Sequence, residues 1–190
     1  MIFLPARADC KAILIPLLLA CLPQAWAGEW TEPIEVRMEV ELCVSYRAKL
    51  DGDLLVVEAT HAGEWHTYAM DNKLRAEDKL AGKPSLGIDA PTEIELSGGL
   101  ELAGPWRQSE PTDLSKPELR WFTWGYSEPA LFVAKVKRGG DGLARIGVRG
   151  QACDASRCKN IDVELSLPLS GTAGAVKGDY SSLAVVRTTP

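Results

Sequence analysis

The sequence predicts an antiparallel β-sandwich of the immunoglobulin type. Many short segments alternate apolar and polar residues, convincing helical periodicity is scarce, and turn signals recur at intervals of about ten residues. Alternation with a period of two is typical of strands that bury one face, and regularly spaced short strands favour a sandwich. We therefore expect one all-β domain over residues 28–169.

The N-terminal segment, residues 1–27, has the pattern of a secretory signal peptide. Basic residues precede an apolar run over residues 12–20, and an Ala-x-Ala cleavage site ends at Ala27. The run is shorter than the roughly 20 apolar residues of a membrane-spanning helix. A lipoprotein modified at Cys21 is the less favoured alternative. We predict a protein that is cleaved near Ala27, is exported or periplasmic, and has no membrane span in its mature chain.

Composition restricts the class of partner and the role of the cysteines. The formal net charge of −5 argues against a nucleic-acid partner. Export would leave Cys43, Cys153 and Cys158 in a compartment where disulfides persist. A chain of this length buries enough surface to fold without cross-links, and an odd number of cysteines leaves one thiol unpaired.

The first alternating segment is Ile34–Tyr46, in which every even position is apolar or aromatic. This pattern predicts one long strand with an apolar and a polar face. Cys43 falls on the polar face, so we do not expect it in the core. It is either a bystander thiol or a tether with a secondary redox role.

The middle of the chain predicts further strands and two segments without a regular pattern. Asp51-Gly52 is a turn signal that joins the first strand to a second one. Lys73–Gly82 fits either a short helix or a charged loop. Strands are predicted at Leu54–Thr60, Glu64–Met70, Thr92–Leu96, Leu100–Leu102 and Leu131–Val136, with irregular structure over Pro105–Pro117. Residues 170–190 lack a periodic pattern, so we expect a flexible C-terminal tail.

The segment Ile146–Leu169 contains two alternating strands joined by a short loop that bears Cys153 and Cys158. A hairpin would bring the two thiols close enough to oxidise to each other. Closing so small a loop stabilises a fold by only about 2 kcal/mol. A small, accessible disulfide is instead suited to thiol–disulfide exchange.

The charges around the two thiols are unequal. Arg157 and Lys159 flank Cys158, and nearby positive charge favours the thiolate that attacks a disulfide. Asp154 follows Cys153 and has the opposite effect. We therefore predict that Cys158 is the better nucleophile.

Other chemistry has weaker support. His61 and His66 are the two histidines of the chain, and residues five apart on a strand face opposite sides, so we predict no metal site and interpret both as solvated or packing residues. The chain has no G-x-S-x-G motif and no marked carboxylate pair. Two roles remain for the cysteine pair, which are thiol–disulfide exchange and a passive disulfide.

The densest aromatic cluster precedes the cysteine hairpin. It contains Trp121, Phe122, Trp124 and Tyr126, with Gly125 available for a bend. A redox pair on an open hairpin needs a cover that a partner can displace, and these rings could supply it. Alternatively, the rings alternate between the core and the outer face of a hairpin.

Several of these segments together resemble a known family. They are Gly63–Tyr68, Trp124–Glu128, Gly150–Cys153 with Cys158, and the strand that ends at Leu167-Pro168-Leu169. In this order they resemble the N-terminal periplasmic domain of the thiol:disulfide interchange protein DsbD, over roughly residues 31–169. Four residues separate the cysteines here, where the best-known members have five.

The resemblance implies an immunoglobulin-like domain that carries electrons on the Cys153/Cys158 pair, without a metal or cofactor. A thioredoxin-like donor would reduce the pair, which would then reduce oxidised periplasmic proteins as a protein-disulfide reductase or electron carrier. Cys158 would form the mixed disulfides, the cap would fall near Trp121–Gly125, and Tyr68 would lie beside the site. The alternative is a non-catalytic binding module with a static Cys153–Cys158 bond, so whether the chain is an enzyme stays open.

Overall fold

The predicted β-sandwich is confirmed by a computed structural model, which describes residues 28–81, 83, 90–140, 142–170 and 176–188. Two antiparallel sheets enclose one hydrophobic core, as in an immunoglobulin-like domain. The predicted signal peptide, with Cys10 and Cys21, lies outside the described residues.

The regular elements are short strands, one α-helix and one 3₁₀ turn. In chain order they are β1 (Ile34–Met38), β2 (Glu41–Asp51), β3 (Leu54–His61), β4 (His66–Tyr68), α1 (Asn72–Lys79), β5 (Glu93–Ser97), β6 (Leu100–Leu102), β7 (Arg107–Gln108), β8 (Thr112–Asp113), the 3₁₀ turn (Pro117–Leu119), β9 (Trp124–Tyr126), β10 (Ala130–Arg138), β11 (Leu143–Cys153), β12 (Cys158–Pro168) and β13 (Ala184–Val185).

In each sheet, neighbouring strands pair along one continuous path, and one additional strand pairs off this path. The first sheet runs β1-β2-β3-β10-β7-β13, and β6 also pairs with β10. The second runs β12-β11-β4-β9-β8, and β5 also pairs with β11. Tyr46 and Phe132 of the first sheet and Trp65, Ile146 and Leu165 on the side of the second belong to the same buried cluster. In the second sheet, β12 of the cysteine hairpin is an edge strand and β11 lies between β12 and β4.

The prediction of one long strand over Ile34–Tyr46 is wrong. The chain turns at Glu39, which has a positive φ of 55°, and Val40, which is 88% exposed. The two halves form β1 and β2, which pair with each other. Alternation alone cannot distinguish one long strand from a tight hairpin whose turn preserves the alternation.

The prediction that Cys43 lies off the core is also wrong. The pairing of β1 with β2 shifts register because Val36 lies opposite Val44 and Arg37 lies opposite Leu42, which leaves Cys43 as an extra residue. Such a bulge breaks the alternation of side chains. Cys43 and Val44 are consequently both fully buried.

Most other predicted elements are confirmed. The Asp51-Gly52 turn joins β2 to β3, and β5, β6 and β10 lie at the predicted positions. Of the two alternatives for Lys73–Gly82, the helix α1 is observed. The segment Pro105–Pro117 is less irregular than predicted because β7 and β8 lie within it. No helix in the described part of the chain has the length and apolar character needed to cross a membrane.

Part of the segment 170–190 differs from the expected flexible tail. Asp51 accepts hydrogen bonds from the backbone N–H groups of Lys177 and Gly178, at 2.7 and 2.8 Å, and from the Tyr180 hydroxyl. The strand β13 then pairs with β7. These contacts come from one buried carboxylate and two strand residues, so they leave no periodic pattern in the sequence.

Candidate functional site

The predicted cysteine hairpin is confirmed and regular. The strands β11 and β12 pair in one register, from Leu143 opposite Pro168 to Cys153 opposite Cys158. The inward residues of both strands are buried, and alternate residues face outward. This regular pairing makes the two cysteines direct cross-strand neighbours where the strands end.

Cys153 and Cys158 are joined by a disulfide bond. Their Cα atoms are 4.1 Å apart, near the roughly 4.5 Å of a closely spaced antiparallel pair, so the pairing itself brings the sulfurs together. The two cysteines differ in exposure, because Cys153 is 3% exposed and Cys158 lies at the surface. An incoming thiolate therefore meets Cys158 first.

The Asp154 carboxylate organises the turn between the cysteines. Its Oδ1 atom accepts hydrogen bonds from the backbone N–H groups of Ser156 and Arg157, both at 2.7 Å. The backbone bond from Ser156 and the Arg157 guanidinium hold the pKa of Asp154 well below its usual range. An aspartate at this position bonds the backbone two and three residues later, which defines a turn.

A second set of contacts ties this turn to the first sheet. Arg157 Nη2 lies 2.7 Å from Asp154 Oδ2 and 2.9 Å from Glu41 Oε2. The Trp65 indole N–H donates to Glu41 Oε1 at 2.9 Å, and the Arg157 guanidinium carbon lies 5.5 Å from the centre of the Trp65 ring. Trp65 and then Arg157 lower the pKa of Glu41. The cysteine turn is thus held to the start of β2.

These contacts change the predicted origin of the cysteine asymmetry. The charge of Arg157 is neutralised by Asp154 and Glu41, so it contributes less to a Cys158 thiolate than its sequence position predicts. Burial is the stronger difference, because a buried site disfavours the charged form of Cys153. Cys158 is still expected to be the better nucleophile, but the reason is now its exposure and not the charge of Arg157.

The strand β4 borders the buried cysteine on its other side. His66 lies opposite Cys153, and Thr67 lies opposite Ala152. The Tyr68 hydroxyl is 3.3 Å from His66 Nε2, and the two rings meet edge to face. His66 and Tyr68 share one face of β4 because they are two residues apart. The structure therefore places Tyr68 on the strand next to Cys153.

The other four predicted cap residues fall into two groups. Trp124 and Tyr126 of β9 are buried members of the core, and the Tyr126 hydroxyl donates to the carbonyl of Ser109 at 2.9 Å. Rings packed in this way stabilise the fold and cannot be displaced by a partner. This corrects the prediction that Trp124 and Tyr126 are part of a displaceable cover. Trp121 and Phe122 are half-buried, and Lys116 Nζ lies 5.4 Å from the centre of the Trp121 ring.

The interpretation of Gly125 as a bend is wrong, because it is a buried residue of β9. A Cβ atom at this position would lie 2.1 Å from the backbone oxygen of Thr67. Glycine therefore allows β9 to approach β4 closely, and β4 carries the residues next to Cys153.

His61 is a structural histidine. Its Nδ1 is 3.0 Å from the Glu128 carbonyl and its Nε2 is 2.8 Å from Thr67 Oγ1, which fits a neutral ring that donates to the carbonyl and accepts from the hydroxyl. Burial, opposed by the Glu128 bond and assisted by His66, lowers its pKa to about 4. His61 is thus neutral in the folded protein at neutral pH.

This depressed pKa predicts a loss of stability in acid. As the pH falls from about 6.5 towards 4, unfolded His61 takes up a proton that the folded protein binds only near pH 4. The free energy of unfolding should therefore fall by about 2 kcal/mol over this window from His61 alone, and this contribution is fully present above pH 6.5. Urea unfolding at pH 7 and pH 4.5 should show a smaller fall for His61→Gln than for the unsubstituted protein. Equal falls would contradict the assignment.

Cys43 does not join the cysteine pair. Of the cysteines in the described part of the chain, it is the one without a disulfide bond, and it is fully buried. Burial raises the pKa of its thiol, which reduces its reactivity. Among the described residues, no group of three or more His, Cys, Asp and Glu side chains could hold a metal ion.

The sequence predicts no role in the site for Glu41 or Trp65, and it indicates that His66 is a solvated or packing residue. Glu41 is distant from the cysteines in sequence, so only the fold brings it to Arg157. His66 and Tyr68 did carry a detectable signal, because they are alternate residues on one strand. Their register against Cys153 could not be obtained from the sequence.

Comparison with known proteins gave structural neighbours. No family model matches the chain, and no curated protein matches it. The DsbD N-terminal domain of Neisseria meningitidis in the reduced form is similar, with a TM-score of 0.45, 12% identity, and coverage of 65% of this chain and 82% of that chain. A structure of the complex between the DsbD and PilB N-terminal domains of the same organism has a TM-score of 0.41 and 9% identity, and the match covers 73% of this chain and 89% of that chain.

Both neighbours contain the domain that the sequence resembles. At this level of similarity, an assignment of function depends on the chemistry of the Cys153–Cys158 hairpin itself.

Proposed function

We propose that this protein is an exported thiol–disulfide exchange domain. The observation that carries the proposal is the Cys153–Cys158 disulfide at the end of a regular hairpin, with one sulfur buried and the other at the surface. Exchange needs an accessible sulfur that partners attack and a protected sulfur that resolves the mixed disulfide. The hairpin supplies both without a metal or cofactor.

The first half of the cycle reduces the pair. A thiolate of a thioredoxin-like donor attacks Cys158 Sγ, and the bond to Cys153 breaks, so that Cys153 leaves with the electron pair and takes up a proton. The second thiol of the donor then attacks the donor's own sulfur in the mixed disulfide. Cys158 is released, the donor becomes oxidised, and both cysteines of the hairpin are reduced.

The second half of the cycle passes the electrons on. The Cys158 thiolate attacks a disulfide of an oxidised exported protein and forms a mixed disulfide, while one partner sulfur leaves. Cys153 then loses its proton and attacks Cys158 Sγ. The second partner sulfur leaves, the partner is reduced, and the hairpin disulfide forms again.

The proposed cover of the pair is smaller than the one predicted from the sequence. Trp124 and Tyr126 are part of the core and Phe122 packs against it, which leaves Trp121 as the ring that a partner could displace. Tyr68 is proposed to line the site from the neighbouring strand, because it contacts His66 beside Cys153.

A second candidate function is a binding module with a static disulfide. The contacts of Arg157 with Asp154 and Glu41 favour it, because they fix the turn in one conformation. The two functions make opposite predictions for the chemistry of the cysteines. The reduction potential of the pair separates them, because a static structural disulfide lies below about −300 mV and an exchange disulfide lies above it.

A further inference from the structure

His66 has a position that the proposed exchange cycle leaves without a role. It lies directly opposite Cys153 in the pairing of β11 with β4. Directly paired residues of antiparallel strands project from the same face, with Cβ atoms about 4.5–5.5 Å apart. The imidazole and the Cys153 side chain are therefore neighbours on one face of the sheet.

The chemistry of Cys153 creates a need for such a neighbour. Its thiol must become a thiolate to break a mixed disulfide at Cys158, yet its site is almost fully buried. Burial disfavours the charged thiolate. A nearby group that accepts the proton would remove this barrier, and imidazole is the side chain that most often transfers protons near neutral pH.

We propose that His66 accepts the proton of Cys153 when Cys153 resolves a mixed disulfide, a role that rests on the proposed exchange function. The thiol proton passes to a ring nitrogen of His66, the thiolate attacks Cys158 Sγ, and the bond between Cys158 and the partner sulfur breaks. The partner leaves with the electron pair of that bond and is protonated. The reverse transfer returns a proton to Cys153 when a donor reduces the pair.

The surroundings of His66 are compatible with this transfer. The Tyr68 hydroxyl lies 3.3 Å from Nε2 and orients the ring from the same strand. On the β11 side Cys153 is a titratable neighbour, and on the β9 side Tyr126 is packed in the core. His61 interacts electrostatically with His66 but bonds Thr67 and Glu128. In the adjacent turn, Asp154 and Arg157 neutralise each other.

Ellman's reagent, a small aromatic disulfide, separates the two steps. With the reduced protein, Cys158 should attack the reagent and release one thionitrobenzoate, and Cys153 should then displace a second one as the hairpin disulfide forms. Cys43 is fully buried and should react only slowly. We expect His66→Gln to slow the second release by about tenfold or more at pH 7, and to leave the first unchanged. It should also remove one component from the pH dependence of the second release.

The matched control is His61→Gln, which removes the other histidine of the chain and should leave both releases unchanged. A second release in His66→Gln within twofold of the unsubstituted rate, with the same pH dependence, would overturn the proposal. Equal slowing of both releases would also overturn it, because His66 would then support the fold alone. If the unsubstituted protein gives no second release, the exchange function itself fails, which is a different result.

Discussion

Cys153→Ser is expected to turn the protein into a trap that holds its partner in a stable mixed disulfide. The variant keeps the surface sulfur of Cys158 and loses the buried sulfur that would resolve the complex. Cys158→Ser keeps only the buried sulfur, so its yield of mixed disulfide should be below about one tenth of that of Cys153→Ser, because reactivity follows exposure and thiolate character.

A defined partner makes this comparison quantitative. A thioredoxin whose second cysteine is replaced by serine, with its remaining cysteine activated by Ellman's reagent, forms one mixed disulfide and cannot resolve it. The conjugate is measured on non-reducing gels. The double variant with both serines reports any reaction of Cys43, which is buried and should contribute little. Equal yields from the two single variants, or no conjugate from either, would contradict the assigned roles.

Gly125→Ala is expected to lower the free energy of unfolding by about 3 kcal/mol. The added methyl group would lie 2.1 Å from the Thr67 oxygen and 3.2 Å from its carbonyl carbon, and these are backbone atoms that cannot rotate away. The strand β9 would have to move from β4, which carries His66 and Tyr68 beside Cys153. For a domain of this size the melting temperature should fall by about 6–12 °C.

Gly142→Ala is the matched control for this substitution. A Cβ atom on Gly142 would have no neighbour within 4 Å, so the change should alter stability by less than about 0.5 kcal/mol. Chemical denaturation of both variants measures the two free energies. A loss below about 1 kcal/mol for Gly125→Ala would show that β9 can shift without cost, and that the close approach of β9 to β4 is unimportant.

The hairpin of β11 and β12 could be predicted from the sequence because all its information is local. Alternation sets both strands, and the polar turn between them sets the pairing of Cys153 with Cys158. The same local rule failed for Ile34–Tyr46, where a turn at Glu39 and a bulge at Cys43 interrupt the strand while the alternation of residue types continues. Alternation of apolar and polar residues indicates which side chains a strand is expected to bury, but it does not indicate where the chain reverses direction.

The surroundings of the site required the three-dimensional structure because they come from distant parts of the chain. Glu41 reaches Arg157 from the other sheet, and His66 reaches Cys153 through the pairing of β4 with β11. The sequence shows that Arg157 is next to Cys158, but it does not show that Asp154 and Glu41 lie close enough to neutralise the charge of Arg157. The prediction that Trp124 and Tyr126 form a displaceable cover failed for a related reason. Their burial in the core depends on how the two sheets pack.

The reduction potential of the Cys153–Cys158 pair tests the central claim most directly. The protein would be equilibrated in buffers of dithiothreitol or glutathione at fixed ratios of thiol to disulfide, and the reduced fraction would be counted after alkylation by mass spectrometry. An exchange domain requires a potential above about −300 mV, in the range of about −180 to −270 mV that exchange proteins occupy, and this is the predicted result. A potential below about −300 mV would show a static structural disulfide and would contradict the account.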